Sequence, residues 1–104
     1  MPRRRVVVTG LGLITPLGNS VKDSWDGILA GKSGIAPIEH FDTTGFSTQF
    51  GGSIKGFDVS EYMPAKDARK MDPFIHYGIA AAEEALSDSG LRITGENAAR
   101  IGVA

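Results

Sequence analysis

Cysteine is absent from the sequence. That excludes disulfides, cysteine-ligated zinc and a thiolate nucleophile within these residues. Histidine is scarce. His40 and His76 are the only two, too few for a histidine-rich metal site. A surplus of positive charge is also missing: 11 lysines and arginines stand against 12 aspartates and glutamates, for a formal net charge of -1. Duplex-binding modules need a marked basic excess to neutralise phosphates, so the balance argues against nucleic acid as a partner. No apolar run approaches the roughly 20 residues that span a bilayer. Arg3, Arg4 and Arg5 followed by Val6, Val7 and Val8 imitate the opening of a secretory signal. Thr9, Gly10, Gly12, Thr15 and Pro16 then break the apolar stretch, and no small-residue cleavage site follows. The reading is a mature, cytoplasmic N-terminus.

Glycine is what the sequence has in excess, 14 of 104 residues, against a usual share of about 7%. With 41% of residues apolar, this predicts tight turns and close backbone packing rather than disorder. The length suits one small domain and not two. Three consecutive valines predict a buried-type strand from Arg5 to Thr9. It runs into Thr9-Gly10-Leu11-Gly12-Leu13-Ile14-Thr15-Pro16-Leu17-Gly18. A dinucleotide fingerprint requires a third glycine where Thr15 stands, followed at once by a helix. Pro16 follows instead, so the segment reads as a glycine-rich turn whose backbone passes close to other chain.

A helix is predicted from Ser20 to Ala30, capped by Ser20 or Asn19 and stopped by Gly31. Its apolar stripe is Val21, Trp25, Ile28 and Leu29, with Trp25 as a core anchor. Gly34 to Tyr62 is irregular, with strand candidates at Ser47 to Phe50 and Ser53 to Lys55; Phe41, Phe46, Phe50 and Phe57 would pin it to the body. A short helix is expected from Pro64 to Met71. A second runs from Pro73 to Ser89, with Asp72 as N-cap, Pro73 in the first turn and Gly90 as the stop. Ile75, Ile79, Ala82 and Leu86 form one apolar face. Phe74, Gly78, Ala81 and Ala85 form a smaller one, against which another helix is expected to lie. Arg100 to Ala104 reads as the start of a central strand. Such strands need partners on both sides, and the chain offers few, so the pattern is that of a piece of a larger α/β protein.

The short helix carries Lys66, Arg69 and Lys70 at i, i+3 and i+4, which places them on one face. Like charges at this spacing cost about 0.2–0.5 kcal/mol per pair. On spacing alone, a solvated face and a partner-binding face both remain open.

Several runs together resemble the β-ketoacyl-acyl-carrier-protein synthases. They are Arg4-Arg5-Val6-Val7-Val8-Thr9-Gly10-Leu11-Gly12, Thr15-Pro16-Leu17-Gly18-Asn19, Leu29-Ala30-Gly31-Lys32-Ser33-Gly34-Ile35 and His40-Phe41-Asp42-Thr43. Arg69-Lys70-Met71-Asp72-Pro73-Phe74-Ile75-His76-Tyr77-Gly78-Ile79-Ala80 is the most specific. Asp88-Ser89-Gly90-Leu91 and Asn97-Ala98-Ala99-Arg100-Ile101-Gly102-Val103 complete a collinear match over the chain. The details resemble the synthase II branch, the elongating enzymes of type II fatty-acid synthesis; a synthase I is expected to depart from several of these runs.

The resemblance implies a thiolase-like layered αβαβα fold, of which residues 1–104 would be the N-terminal segment, roughly the first quarter. It implies a homodimer, no separate cofactor or metal, and a decarboxylative Claisen condensation on an active-site cysteine assisted by two histidines and a lysine. Those four residues lie beyond the matched region, so no catalytic residue is expected in this chain, and His40 and His76 inherit no role. It further implies that Lys66, Arg69 and Lys70 form part of the docking patch for the acidic acyl carrier protein. A truncated, non-catalytic module that binds carrier protein or a partner subunit is the alternative. The chain alone is expected to be inactive.

Overall fold

The computed structural model describes residues 2–104. Helix α1 spans Val21–Leu29. Ser20 is extended at its N-cap, and its hydroxyl accepts from the Asp23 N–H at 3.1 Å, satisfying one of the donors that a helix start leaves unpaired. Helix α2 is a single turn, Ala65–Ala68, preceded by a 3₁₀ turn at Val59–Glu61. Helix α3 spans Pro73–Ser89. It starts from proline geometry alone, because the Asp72 side chain makes no capping bond. Gly31 and Gly90 take φ of 69° and 70° after α1 and α3, the left-handed stop expected of both.

The excursion after α1 contains an antiparallel pair, β1 (Ile35–Pro37) with β2 (Phe50–Gly52), in which Ile35 faces Gly52 and Pro37 faces Phe50. The expected strands at Ser47 to Phe50 and Ser53 to Lys55 are therefore misplaced: the ladder centres on Gly51, between them. The register brings Gly52 beneath Pro16, where a Cβ would lie 2.9 Å from the proline Cγ. Of the four phenylalanines, only Phe57 is a packing anchor. Phe41, Phe46 and Phe50 are exposed.

The expected strand from Arg5 to Thr9 does not form, nor does the one from Arg100 to Ala104; a 3₁₀ turn at Ala98–Arg100 precedes the latter. A strand is defined by its ladder, and neither segment pairs with another strand among the described residues; the backbone bonds of Arg100 and Ile101 go to Asn97 and Ala98 within the local turn. Val6 is 91% exposed.

Phe74 and Gly78 on the small face of α3 are exposed, and the Ala81–Ala85 half is covered, but not by a helix. The extended backbone of Gly10 to Gly12 crosses it. A Cβ on Gly10 would meet the Ser89 nitrogen at 2.7 Å, and one on Gly12 would run into the Ala81 carbonyl and the Ala85 nitrogen. Two carboxylates of α3 secure this crossing. Asp88 Oδ2 accepts from the Leu11 N–H at 3.0 Å, and Glu84 Oε1 accepts from the Val21 N–H at 2.7 Å. The second bond ties the start of α1 to α3. Between these points Thr15 and Gly18 close a turn with reciprocal backbone bonds of 2.9 and 3.1 Å. Ser24, 1% exposed, donates from its hydroxyl to the Gly18 carbonyl at 3.2 Å and shares a 2.7 Å bond with the Thr15 hydroxyl.

Large side chains contribute little to burial. Apart from glycine, only Ser24, Ala68 and Ala80 are buried among the described residues. Trp25, expected in the core, is 56% exposed. The radius of gyration is 17.6 Å, where about 13 Å is usual for this length. The accessible surface is 8705 Å², where a closed domain of this mass shows about 5,600 Å².

Candidate functional site

The three cations singled out by spacing sit around α2. Lys66 lies within the helix, Arg69 is its C-cap, and Lys70 falls in the turn beyond. The expected helix from Pro64 to Met71 is thus shorter. The α-helical bonds end with the Arg69 N–H donating to the Ala65 carbonyl at 3.1 Å. A 3₁₀ tail follows, in which Lys70 and Met71 donate to the carbonyls of Asp67 and Ala68 at 3.1 and 3.2 Å. Pro73 explains the tightening, since a residue before proline is pushed out of the α region, and Asp72 is extended.

All three cations are exposed. Among the described residues the ion pair present is Lys22–Asp26, so none of the three has a carboxylate within 4.0 Å. Arg69 spends its Nε on the Ala65 carbonyl at 3.3 Å. Asp67 shares the turn, and Asp58 and Glu61 precede it, so the positive field is local. Asp58 is already engaged. It accepts from the Ser60 N–H at 3.0 Å and the Ser60 hydroxyl at 2.6 Å, and the hydroxyl and amide together hold its carboxyl below the usual carboxylate range. The two ammonium groups and the remaining nitrogens of the Arg69 guanidinium are exposed and unpaired among the described residues, and so can meet an acidic group.

The turn is mounted on α3 at both ends. Phe57 stacks on Tyr62 at 5.6 Å and meets Tyr77 edge-on at 5.1 Å. His76 Nε2 lies 2.9 Å from the Ala68 carbonyl oxygen. Sequence reasoning left His76 and Tyr77 without a task. The run of small and apolar residues around them gives no sign that α3 would reach back eight residues to α2.

The two histidines do not meet. His40 is exposed and packs edge-on against Phe41 at 4.9 Å, while His76 is committed to α2. No group of three potential metal-ligating side chains gathers among the described residues. A cleft of about 440 Å³ opens between the Thr15–Asn19 turn and Lys55. Lys55 Nζ donates there to the carbonyls of Pro16, Ser53 and Gly34 at 3.2, 3.2 and 3.4 Å. This ammonium is a structural pin, and no spacing signal in the sequence marks it. In the glycine-rich segment, Gly10 and Gly12 lie directly against the backbone of α3. No helix among the described residues is long and apolar enough to cross a membrane.

Comparison with known proteins gives concordant results. Residues 3–104 match the family described as "Beta-ketoacyl synthase, N-terminal domain". The 3-oxoacyl-[acyl-carrier-protein] synthase 2 of Vibrio cholerae serotype O1 is 65% identical over 104 residues, which is 100% of this chain and 25% of that protein. The protein of the same name from Coxiella burnetii is 47% identical over the same span and share. The chain therefore spans about a quarter of the length of the curated relatives it matches. Among solved structures, the ishigamide ketosynthase/chain length factor superposes with a TM-score of 0.76 at 37% identity, covering 88% of this chain and 23% of that one. The mixed helix-and-strand arrangement described above is thus the N-terminal part of a thiolase-like ketosynthase fold.

Proposed function

Because this chain belongs to the β-ketoacyl synthase family, as its N-terminal domain, we propose that it is the N-terminal segment of an elongating 3-oxoacyl-[acyl-carrier-protein] synthase. The observation that carries the proposal is the uninterrupted match to synthase 2 proteins, 65% identical from end to end of the chain. In the reaction proposed for the whole protein, a cysteine thiolate displaces the carrier thiol from an acyl thioester. Malonyl-carrier protein then loses carbon dioxide. The resulting carbanion attacks the acyl-enzyme and expels the thiolate, and the product is a β-ketoacyl thioester extended by two carbons. The nucleophile, both assisting histidines and the lysine belong to the rest of the protein, since this segment has no cysteine and its histidines lie apart.

Two roles fall to this segment. The first is scaffold: exposed Val6, Trp25, Ile28 and Leu29 are covered by the remaining three quarters and by the second subunit of a homodimer. The second is recognition. Lys66, Arg69 and Lys70 dock the acidic acyl carrier protein, steering its approach more than adding affinity. Their exposure and lack of ion pairing leave them accessible to a partner, and the similarity to synthase 2 proteins favours that reading over a merely solvated face.

The test is to reverse the three to glutamate, singly and together, in the full-length protein and to compare carrier-linked with coenzyme-A-linked substrates. Efficiency should fall selectively on carrier-linked substrate, and the deficit should shrink as salt shortens the Debye length from about 10 Å at 0.1 M. Equal losses on both substrates would point to misfolding, and no loss would return the three to a solvated face. Carrier binding without any condensation by the full-length protein would favour a non-catalytic module instead.

A further inference from the structure

We propose that His76 and Tyr77 are positioning residues for the docking cations, acting through α2. This rests on the carrier-docking reading. Helix α2 has four residues, far below the length at which helical bonds sustain themselves in water. Its direction must come from what holds it. Tyr77 holds the leading end through Phe57, which stacks in turn on Tyr62, two residues ahead of Pro64. His76 holds the trailing end. The Ala68 carbonyl accepts, so the ring must carry its hydrogen on Nε2. That carbonyl already receives the Met71 N–H, and the second donor fastens it to another helix. Ala68 is also the buried residue of α2, immediately before Arg69.

The two fastening residues are adjacent in the first turns of α3, a 17-residue helix pinned further along by Glu84 and Asp88. Adjacent residues project about 100° apart on a helix, so one reaches each end of the short turn. The consequence is a division of labour: α3 supplies the rigid frame, and the cations keep a fixed spacing on a turn unable to keep it alone. Losing the imidazole frees the 3₁₀ tail and spreads Arg69 and Lys70 over several arrangements, which weakens carrier encounter without touching the reacting atoms.

The experiment uses the full-length protein with His76→Ala and His76→Gln, the latter retaining an N–H donor. Kinetics are read with carrier-linked and coenzyme-A-linked substrates. His76→Ala should raise KM for carrier-linked substrate about three- to tenfold relative to the coenzyme-A-linked one, the size of one net hydrogen bond, with kcat retained. His76→Gln should restore most of it. On a background where Lys66, Arg69 and Lys70 are already reversed, His76→Ala should add no further selective loss, because its effect passes through them. An unchanged carrier KM in His76→Ala, a loss shared equally by both substrates and not restored by glutamine, or an additive loss on the reversed background would each overturn the positioning role. If charge reversal itself shows no carrier selectivity, the docking reading falls and this inference with it. If reversal is selective and His76→Ala is not, the positioning role alone falls.

Discussion

The crossing of Gly10–Gly12 over α3 and the apolar side chains of α1 and α3 represent two kinds of surface in one chain. At the crossing, contact is backbone to backbone. Glycine faces alanine, and carboxylates supply the hydrogen bonds that a sheet neighbour would otherwise give. The large apolar residues lie elsewhere. With 100° per residue, Ile75, Ile79, Ala82 and Leu86 centre on a line almost opposite Tyr77, Ala80, Ala81 and Glu84, which are buried or half-buried; of the first set only Ile75 is half-buried, and the rest are exposed. In α1 the buried residues are Ser24 and Gly27, while Trp25, Ile28 and Leu29 point outward. At the crossing the chain thus joins itself through small residues and polar bonds, while Trp25, Ile28, Leu29, Ile79 and Leu86 stay exposed.

The largest expected effect follows directly. Residues 1–104 expressed alone should show no cooperative thermal transition, should bind a hydrophobic dye and should form no β-ketoacyl product. An accessible surface of 8705 Å² against about 5,600 Å² for a closed domain leaves too little burial to offset chain entropy. A soluble monomer with a sharp transition would erase the distinction between the two surfaces, and β-ketoacyl product from it would overturn the assignment of the nucleophile to other residues.

The next effects compare the surfaces within the full-length protein. Trp25→Ala should cost about 3–5 kcal/mol by denaturant unfolding, as for a covered aromatic, although the residue is exposed in this segment. Loss of less than about 1 kcal/mol, the range of surface substitutions, would mean that α1 stays open. Gly12→Ala tests the other surface. The added methyl meets the Ala81 carbonyl and the Ala85 nitrogen, neither of which is a flexible side-chain end, and overpacking of this kind costs about 3 kcal/mol. Ser24→Ala should cost about 1 kcal/mol. The Thr15 hydroxyl stays within 3.4 Å of the Gly18 carbonyl and takes over part of the lost bond.

Local signals in the sequence were read well and pairing was not. Ser20 before α1, Pro73 at the head of α3 and Gly31 and Gly90 after the helices act within a few residues, so composition and spacing reveal them. The strands at Arg5 to Thr9 and Arg100 to Ala104 failed because a ladder depends on a neighbour, which no local pattern supplies. Trp25 illustrates the same limit: amphipathic spacing shows which residues share a face but not whether the chain holds its cover. The cations at positions 66, 69 and 70 were singled out by charge and spacing, but the helix under them was expected from Pro64 to Met71 and spans only Ala65–Ala68. His76 was not legible, because its partner is a backbone carbonyl, which has no sequence signature.

The smallest expected effect lies at the leading edge of the turn that carries Lys66, Arg69 and Lys70. Asp58 is exposed, and its carboxyl is held below the usual range by the Ser60 hydroxyl and amide. A carboxyl with a folded pKa below its unfolded one stabilises fully above the unfolded value, and the contribution disappears as pH falls through the folded value. The difference in thermal midpoint between the full-length protein and its Asp58→Asn variant should therefore be small and constant near neutrality. It should vanish only in acid, below the range where ordinary carboxylates titrate. Asparagine retains an acceptor for the Ser60 N–H and loses only the charge, so the variant isolates the charge-assisted part of the two bonds. Carbon-detected titration of the Asp58 carboxyl gives the direct check, and a midpoint at or above the ordinary carboxylate value would show that Ser60 does not hold it. An exposed cap of this kind is screened by water and salt, whereas a methyl at Gly12 meets backbone with no room to yield. The same segment therefore tolerates change at its charged rim and resists it where backbone lies on backbone.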